Sequence, residues 1–360
     1  MGKSIVFTVT TDLNHDQRMR RIAGTLAAAG YQVTLLGRQL PASTPLEEQP
    51  FKQHRFTCFF LKGPGFYLEY NLRLLFWFMR HPFDLYGAID ADTALAGIFT
   101  SWWRRKPLVY DAHEFFQELP EVVHRPLVRK LWAWVEDLAF KRATLAYTVS
   151  VSLQEYFQQK YQRPVALIRN MPLRQTAHSK PKTPPFFIYQ GSLNVGRGLE
   201  CTIEAMQHVP AQLVICGEGP LKAQLQNLTY RLGLEQKVLF KGNLAPAALV
   251  QLTASALGGV MLLEKMGLSY YYSLANKFFD YVQAGIPQVC VPFPEYRLLN
   301  AQYEVALMAQ PQVQDVQDAM LKLLQDAELY GRLRENCLLA RQEWCWEKEG
   351  QRLVELYNKL

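Results

Sequence analysis

The apolar residues of this chain come in short runs separated by stretches with helical spacing. The first run, Ser4–Thr10, reads as a strand; a helix follows over Gln17–Ala29, then a second strand over Gln32–Gly37. Further strands are expected at Thr57–Leu61, Leu85–Ile89, Leu108–Tyr110, Leu145–Ser150 and Val165–Arg169. These runs are continuously apolar rather than alternating, the pattern of a parallel sheet covered by helices on both faces. The stretch 173–185 (LRQTAHSKPKTPP) breaks the pattern with Pro, Lys, Ser and Thr and reads as a linker. The pattern then restarts. Strands are expected at Phe186–Gln190, Gln212–Cys216, Val238–Lys241, Gly259–Leu263 and Gln288–Val291, with helices at Leu199–Gln207, Leu221–Leu232, Pro246–Ser255 and Asn276–Gln283. Trp346, Leu353, Leu356 and Tyr357 give the last segment helical spacing. The expected organisation is α/β: a first domain over 1–172, the linker 173–185, a second domain over 186–341, and a terminal helix over 342–360 that crosses back onto the first domain.

Composition narrows the classes. Of 360 residues, 49% are hydrophobic and 12% aromatic, which excludes wholesale disorder. The run Leu74–Met79 is far short of the roughly 20 apolar residues a spanning helix needs. The N-terminus reads as the start of a strand, without a cleavable signal pattern. The six cysteines are scattered with no CxxC pair, so buried reduced thiols of a cytoplasmic protein are expected. The net charge of +7 sits in the first half: residues 1–180 hold 23 Lys and Arg against 15 Asp and Glu. That half is expected to meet something anionic, or to carry an ordinary solvated face.

In open parallel sheets ligands bind beyond the carboxyl ends of the strands, so the segments after each strand carry the candidate chemistry. After the first strand comes a polar loop, Thr11 to Arg18, in which the dinucleotide fingerprint GxGxxG is absent; this weakens a nicotinamide-dehydrogenase reading. Asp111-Ala112-His113-Glu114 places three titratable groups in four positions at a strand end. A zincin HExxH is not formed, because Gln117 takes the second histidine position. Gly191-Ser192-Leu193-Asn194-Val195-Gly196-Arg197-Gly198 combines glycines, a following helix start and a cationic fork, which together suit a phosphate or diphosphate. Gly217-Glu218-Gly219-Pro220 is either a ligand loop or a tight turn. In Ser273-Leu274-Ala275-Asn276-Lys277-Phe278-Phe279-Asp280, Lys277 and Asp280 share a helix face, where a cation could meet phosphate and a carboxylate a ribose diol. A plain surface ion pair would use the same spacing.

These residues resemble glycosyltransferase family 4, nucleotide-sugar-dependent enzymes of the GT-B fold. The likeness covers nearly the whole chain and is strongest from Phe186 to Pro294. Arg197 falls at the lysine of the family's G-R-x4-K-G stretch, Asp280 at the second glutamate of its paired-glutamate motif, and Gly217 to Pro220 at its GxGP turn. Ser192 departs from the family arginine and Tyr272 from the first glutamate. SLANKFFDYVQAG nevertheless resembles the SLPNKxFEYxxAG variant of one branch. Asp16-Gln17-Arg18 resembles a D-x-R motif of that branch, Tyr110 to Glu114 its Y-D-x-H-E segment, and Asp90-Ala91-Asp92-Thr93 its D-x-D-T stretch.

The resemblance implies two Rossmann-like domains facing each other across a cleft. A nucleotide-diphosphate sugar would sit on the second domain, at Gly191, Ser192, Arg197, Gly217, Glu218, Gly219, Tyr272, Ser273, Leu274, Asn276, Lys277 and Asp280. Arg197 and Lys277 would steady the leaving diphosphate, with no metal ion or other cofactor. His113 would stand beside the reacting sugar, with Asp16, Arg18, Asp90, Asp92, Asp111 and Glu114 on the acceptor side. The implied reaction is retaining transfer to a glycan or lipid-linked acceptor, in cell-surface polysaccharide or glycoconjugate synthesis. An epimerase or hydrolase of the same fold and a non-catalytic sugar-binding scaffold are the alternatives; a nucleic-acid partner is not expected, for want of a recognised binding motif. Finally, Phe66–Phe83 and Trp102-Trp103-Arg104-Arg105-Lys106 set aromatics beside cations, which an anionic membrane surface attracts. A peripheral place on the inner face of the cell membrane is expected on that basis. Against it, Leu72, Leu75, Phe76 and Met79 have the spacing of a core stripe.

Overall fold

A computed structural model describes residues 2–175 and 182–360. Residues 176–181 of the expected linker lie outside the described residues. The chain divides into two compact units: Met1–Asn170 with Lys348–Leu360, and Met171–Glu347.

Unit 1 is built on seven parallel strands: β1 (Ser4–Thr8), β2 (Gln32–Gln39), β3 (Lys52–Thr57), β4 (Leu85–Ile89), β5 (Leu108–Ala112), β6 (Leu145–Thr148) and β7 (Ala166–Leu167). Their order across the sheet is β3-β2-β1-β4-β5-β6-β7. β1 lies between β2 and β4, with Ser4 opposite Gln32 and Ile5 opposite Leu85. The winding direction therefore reverses between β1 and β4, which leaves a crevice at their carboxyl ends. The helices are α1 (Gln17–Ala28), α2 (Gly63–Arg80), α3 (Ala94–Arg104), α4 (Pro120–Val123), α5 (Pro126–Arg142) and α6 (Val151–Tyr161).

Unit 2 repeats the plan with six parallel strands: β8 (Phe186–Gln190), β9 (Gln212–Cys216), β10 (Val238–Gly242), β11 (Gly258–Met261), β12 (Gln288–Cys290) and β13 (Ala306–Met308). The order is β10-β9-β8-β11-β12-β13, so its reversal falls between β8 and β11. Its helices are α7 (Leu199–Ala205), α8 (Lys222–Arg231), α9 (Pro246–Ala254), α10 (Leu268–Tyr271), α11 (Asn276–Ala284), α12 (Pro294–Gln302), α13 (Val313–Gln325) and α14 (Ala327–Glu343); α15 (Trp346–Tyr357) carries the chain from unit 2 into unit 1.

The continuous apolar strands are explained by burial on both sheet faces. Phe186 and Ile188 enter one core with Val214, Met261 and Cys290, while Phe187 and Tyr189 enter the other with Leu213, Ile215 and Val260. Each fully buried side chain of this size contributes about 1.5–3 kcal/mol. In unit 1 the terminal helix is held by Tyr357, whose ring meets Phe7 at 6.2 Å and whose hydroxyl lies 3.3 Å from that of Tyr147.

Three features differ from the sequence reading. The third strand is Lys52–Thr57, not Thr57–Leu61. It is the outer strand of its sheet, so a half-polar KQHRFT sequence suffices, while Phe59 in the apolar run that follows is 85% exposed. β13 was not anticipated, being only three residues long. In α2 the buried stripe is Phe66, Tyr70, Leu74 and Phe78. Leu72, Phe76 and Met79, which had the spacing of a core stripe, face outward. Among the described residues no helix is long and apolar enough to cross a membrane.

Candidate active site

The candidate donor residues gather at the carboxyl end of β8, next to the reversal in unit 2. Gly191 leaves the strand with φ +130°, and a Cβ there would lie 3.3 Å from Lys277 Nζ. The start of α11 therefore comes directly against this loop. A Cβ on Gly217, whose φ is +150°, would fall 1.9 Å from the Gly191 carbonyl oxygen. The glycine after β9 is thus required for backbone to approach backbone. Gly219 is close to Leu193 in the same way, and Leu193 N–H donates to the Glu218 carbonyl. The GxGP stretch shapes the loop after β8. The carboxylate of Glu218 itself pairs with Lys222 at 2.6 Å and is half exposed.

Two cations converge there. Lys277 Nζ lies 3.7 Å from the Tyr189 ring centroid, and the Arg197 guanidinium 4.9 Å from that of Tyr270. The buried Arg197 Nε has no hydrogen-bond partner. Burial, and then the like charge of Arg197, push Lys277 well below the usual lysine range, with Asp280 opposing them. Two cations near enough to disfavour each other, resting on aromatic faces at a glycine loop, form a ready anion site. One turn along α11, Asp280 accepts from Gln190 Nε2 at 2.8 Å, and Gln190 in turn accepts from Thr253 Oγ1 at 2.9 Å. These three side chains border a cavity of about 120 Å³ with Gln175, Leu249 and Val250.

The remaining predicted donor residues are less uniform. Ser192 is exposed, and its carbonyl accepts from the Tyr189 hydroxyl. Ser273 Oγ donates to the Tyr270 carbonyl, Leu274 packs against the core, and Tyr272 touches the ring of Tyr271. Asn276 opens α11 and is exposed. Tyr189, Gln190, Thr253 and Tyr270 were missed by the sequence reading. Only Gln190 left a signal, as a polar residue closing an apolar strand.

In unit 1 the acceptor-side set divides into side chains that face outward and side chains that hold them. Asp90 follows β4 directly with φ +56°, a left-handed conformation that Asp tolerates better than most residues. Its Oδ1 accepts from the backbone N–H groups of both His113 and Glu114 at 3.0 Å, and its Oδ2 lies 2.9 Å from His113 Nδ1. Asp90 thus fixes the loop after β5 and the imidazole together. Burial works against a charged imidazole, but Asp90, and Asp111 behind it, outweigh burial and push His113 up to about 10. His113 is an imidazolium at neutral pH, with its ring still partly exposed.

Arg18 and Asp111, expected on the acceptor side, are buried against each other. Arg18 Nε and Nη2 donate to the two Asp111 oxygens at 3.0 and 2.9 Å, and Nη1 donates to the Ile168 carbonyl. Burial opposes the charge on Arg18, yet Asp111 more than compensates and raises it. This pair fastens β5 to α1 and is out of an acceptor's reach. Asp16 caps α1, accepting from Met19 N–H at 3.0 Å and from Thr11 Oγ1 at 2.7 Å. Asp92 accepts from Thr10 Oγ1 at 2.5 Å; burial, and then Asp90, push it up to about 7. Glu114 is exposed. Gln117 is buried and donates to Glu136, a structural bond. Among the described residues no group of three or more His, Cys, Asp or Glu side chains is placed to hold a metal ion.

Two doubly wound units, each with candidate residues beyond the carboxyl ends of its strands, define the architectural class. The comparisons give the family. Residues 17–171 match the family described as "Glycosyltransferase Family 4", and residues 172–338 the one described as "Glycosyl transferases group 1". Both halves are thus glycosyltransferase domains, and the chain is a glycosyltransferase of the GT-B fold. No curated protein matches the sequence. Among solved structures the chain is similar to sucrose-phosphate synthase from Thermosynechococcus elongatus, with 16% identity, a TM-score of 0.79, and 99% of this chain and 98% of that one covered. It is similar also to Anabaena HepE in complex with UDP and glucose, with 18% identity, a TM-score of 0.79 and coverage of 99% and 100%. WaaG, a glycosyltransferase involved in lipopolysaccharide biosynthesis, aligns with 16% identity, a TM-score of 0.69 and coverage of 97% and 99%. At these identities the likeness establishes the fold.

Proposed function

We propose that the protein is a retaining glycosyltransferase of family 4 that moves a sugar from a nucleotide-diphosphate sugar to a glycan or lipid-linked acceptor, on the cytoplasmic side, in cell-surface polysaccharide or glycoconjugate synthesis. The observation that carries the donor reading is the pair Lys277 and Arg197, two cations held on tyrosine rings at the glycine loop after β8. A diphosphate relieves their mutual repulsion, and its charge grows as the sugar–phosphate bond breaks. Preorganised cations are therefore worth most in the transition state. The proposal needs no metal ion. Asp280, oriented by Gln190, accepts from the ribose hydroxyls, and the cavity beside it takes part of the nucleoside. The complexes of Anabaena HepE with UDP and with UDP-glucose support a nucleotide sugar of this kind.

His113 stands on the acceptor side as a hydrogen-bond donor to the reacting sugar, because an imidazolium paired with Asp90 cannot act as a base. Asp90 positions it, and the Arg18–Asp111 pair anchors the strand it follows.

A thermal-shift screen across nucleoside diphosphates and their sugars tests the reading, since a ligand that favours the native state raises its melting temperature. A rise with one nucleotide family, followed by sugar transfer only when an acceptor is added, is the expected result. Loss of the donor sugar without acceptor would instead make the protein a hydrolase or epimerase. No stabilisation by any nucleotide overturns the donor site.

A further inference from the structure

One helical side of unit 1 exposes a run of apolar side chains. α3 packs between α2 and α5, so the outward sides of three helices form one continuous face. On it lie Leu68 (66% exposed), Leu72 and Phe76 from α2, Leu95, Phe99 and Trp102 (59% exposed) from α3, and Leu131 and Trp134 (55% exposed) from α5. Scattered exposed apolar residues are ordinary, but a contiguous sheet of aromatic and aliphatic side chains across three helices marks an interaction surface.

The face is also grooved. A cavity of about 500 Å³ runs between α2 and α3 to α5, lined by Leu72, Leu75, Leu95, Phe99, Trp102 and Leu138 among others. Its polar lining residues are Asn71 and Arg142. Asn71 is engaged by backbone: its Nδ2 donates to the carbonyls of Tyr67 and Asp92, and its Oδ1 accepts from Ala96 N–H. The groove therefore offers hydrocarbon contact along its length and one guanidinium, that of Arg142.

Charge selects the occupant. The acidic side chains of these helices are each in an ion pair, Glu69 with Arg73 and both Glu136 and Asp137 with Lys160. Arg80, Lys130, Lys141 and Arg142 are exposed on the same helices, with Arg105 just beyond α3. Exposed apolar side chains that share their helices with exposed cations are complementary to anionic headgroups over hydrocarbon. A folded protein partner would more usually meet a patch whose polar rim carries both signs.

We propose that the α2–α3–α5 face docks on an anionic lipid bilayer, with the groove receiving hydrocarbon from the outer acyl layer and the cations meeting lipid phosphates. This goes beyond the donor-site reading and does not depend on it, since the face belongs to unit 1 and the donor cations Lys277 and Arg197 to unit 2. The full chain is sedimented with vesicles of phosphatidylcholine alone or mixed with phosphatidylglycerol. Binding to the mixed vesicles only, weakened by salt, is the expected result. Phe99→Ser with Trp102→Ser, and separately Arg105→Ser with Lys130→Ser and Arg142→Ser, should each lower the partition coefficient at least about tenfold. All five positions are solvent-facing, so melting temperatures should stay near that of the parent; circular dichroism checks this. A chain that stays in the supernatant with anionic vesicles at low salt overturns the proposal. So does a dimer in analytical ultracentrifugation that Trp102→Ser dissolves, because the face would then belong to a second copy.

Discussion

The Lys277 ammonium rests 3.7 Å from the centre of the Tyr189 ring. A lysine in the first turn of α11 is thus supported by Tyr189 of β8, in a place where burial and Arg197 both disfavour its charge. The ring offsets part of that penalty, by about 0.5–2 kcal/mol. The rest remains for an incoming anion to relieve. Lys277→Ala and Arg197→Ala should each slow transfer at least about 100-fold at saturating donor, the scale for losing one preorganised charge. Steady-state kinetics of the two variants measure it; near-normal turnover in either removes that residue from the leaving group.

The same relationship gives binding a proton signature. Lys277 sits below its usual range in the free protein, and a bound diphosphate pulls it back up. Nucleoside diphosphate binding should therefore take up protons at pH values between the titrations of the free and the bound lysine. Titration calorimetry in two buffers of different ionisation heat reads the number directly. Lys277→Met should abolish the uptake. Proton release in the parent protein would contradict the assignment.

His113 provides a stability prediction of opposite character. Its folded pKa is raised to about 10, from about 6.5 when unfolded. The stabilisation by Asp90 is fully present below about 6.5 and is lost as pH rises through about 10, because over that interval the folded state holds a proton the unfolded chain has released. Asp90→Asn keeps the Oδ1 acceptor for the two loop N–H groups and tolerates the left-handed backbone, but removes the charge. Its melting temperature should fall less steeply than the parent's across that window. His113→Ala, by contrast, should leave nucleoside diphosphate affinity near normal while sharply reducing transfer.

Much of this was legible in the sequence, and the reason is physical. Strands buried on both faces must be continuously apolar, so β4, β8 and β9 could be bounded to the residue, and the chemistry follows strand ends because that is where the sheet reverses. What was not legible is partnership across the sheet. Asp90, Arg18 and Asp111 were seen as one polar group near His113, but sequence spacing carries no information on which carboxylate is buried against a guanidinium and which holds the imidazole. Tyr189 lay inside an expected strand and Tyr270 in a stretch that predicted no element, and their use as seats for cations depends on α10 and α11 packing against the loop after β8. The outward turn of Leu72 and Phe76 was hidden for a related reason: in α2 both the inner and outer stripes are apolar, so periodicity cannot tell them apart.

The Arg18–Asp111 pair should behave as a buried ion pair does when one partner is removed. Arg18→Ala leaves Asp111 buried without its two N–H donors, and a loss of about 3–5 kcal/mol in denaturant unfolding is expected. Arg18→Lys should recover only part of it, since an ammonium cannot make the bidentate contact and reach Ile168 as well. A fully stable Arg18→Ala would show that β5 is anchored by packing alone.

Gly217 offers the sharpest test of how the donor loop is built. A methyl group there meets the Gly191 carbonyl oxygen at 1.9 Å, and that oxygen belongs to backbone that cannot swing aside. The φ of +150° adds strain for any residue with a side chain. Gly217→Ala should cost about 2–4 kcal/mol of stability and displace the 191–193 segment from Lys277, so nucleoside diphosphate affinity should fall even in molecules that remain folded. Gly233→Ala serves as the control: its φ is +65°, but nothing lies within 4 Å of the added carbon. It should cost only about 1–2 kcal/mol, the left-handed strain alone, with affinity unchanged. If Gly217→Ala binds nucleotide as well as Gly233→Ala, the glycine contact between the two loops plays no part in holding the donor.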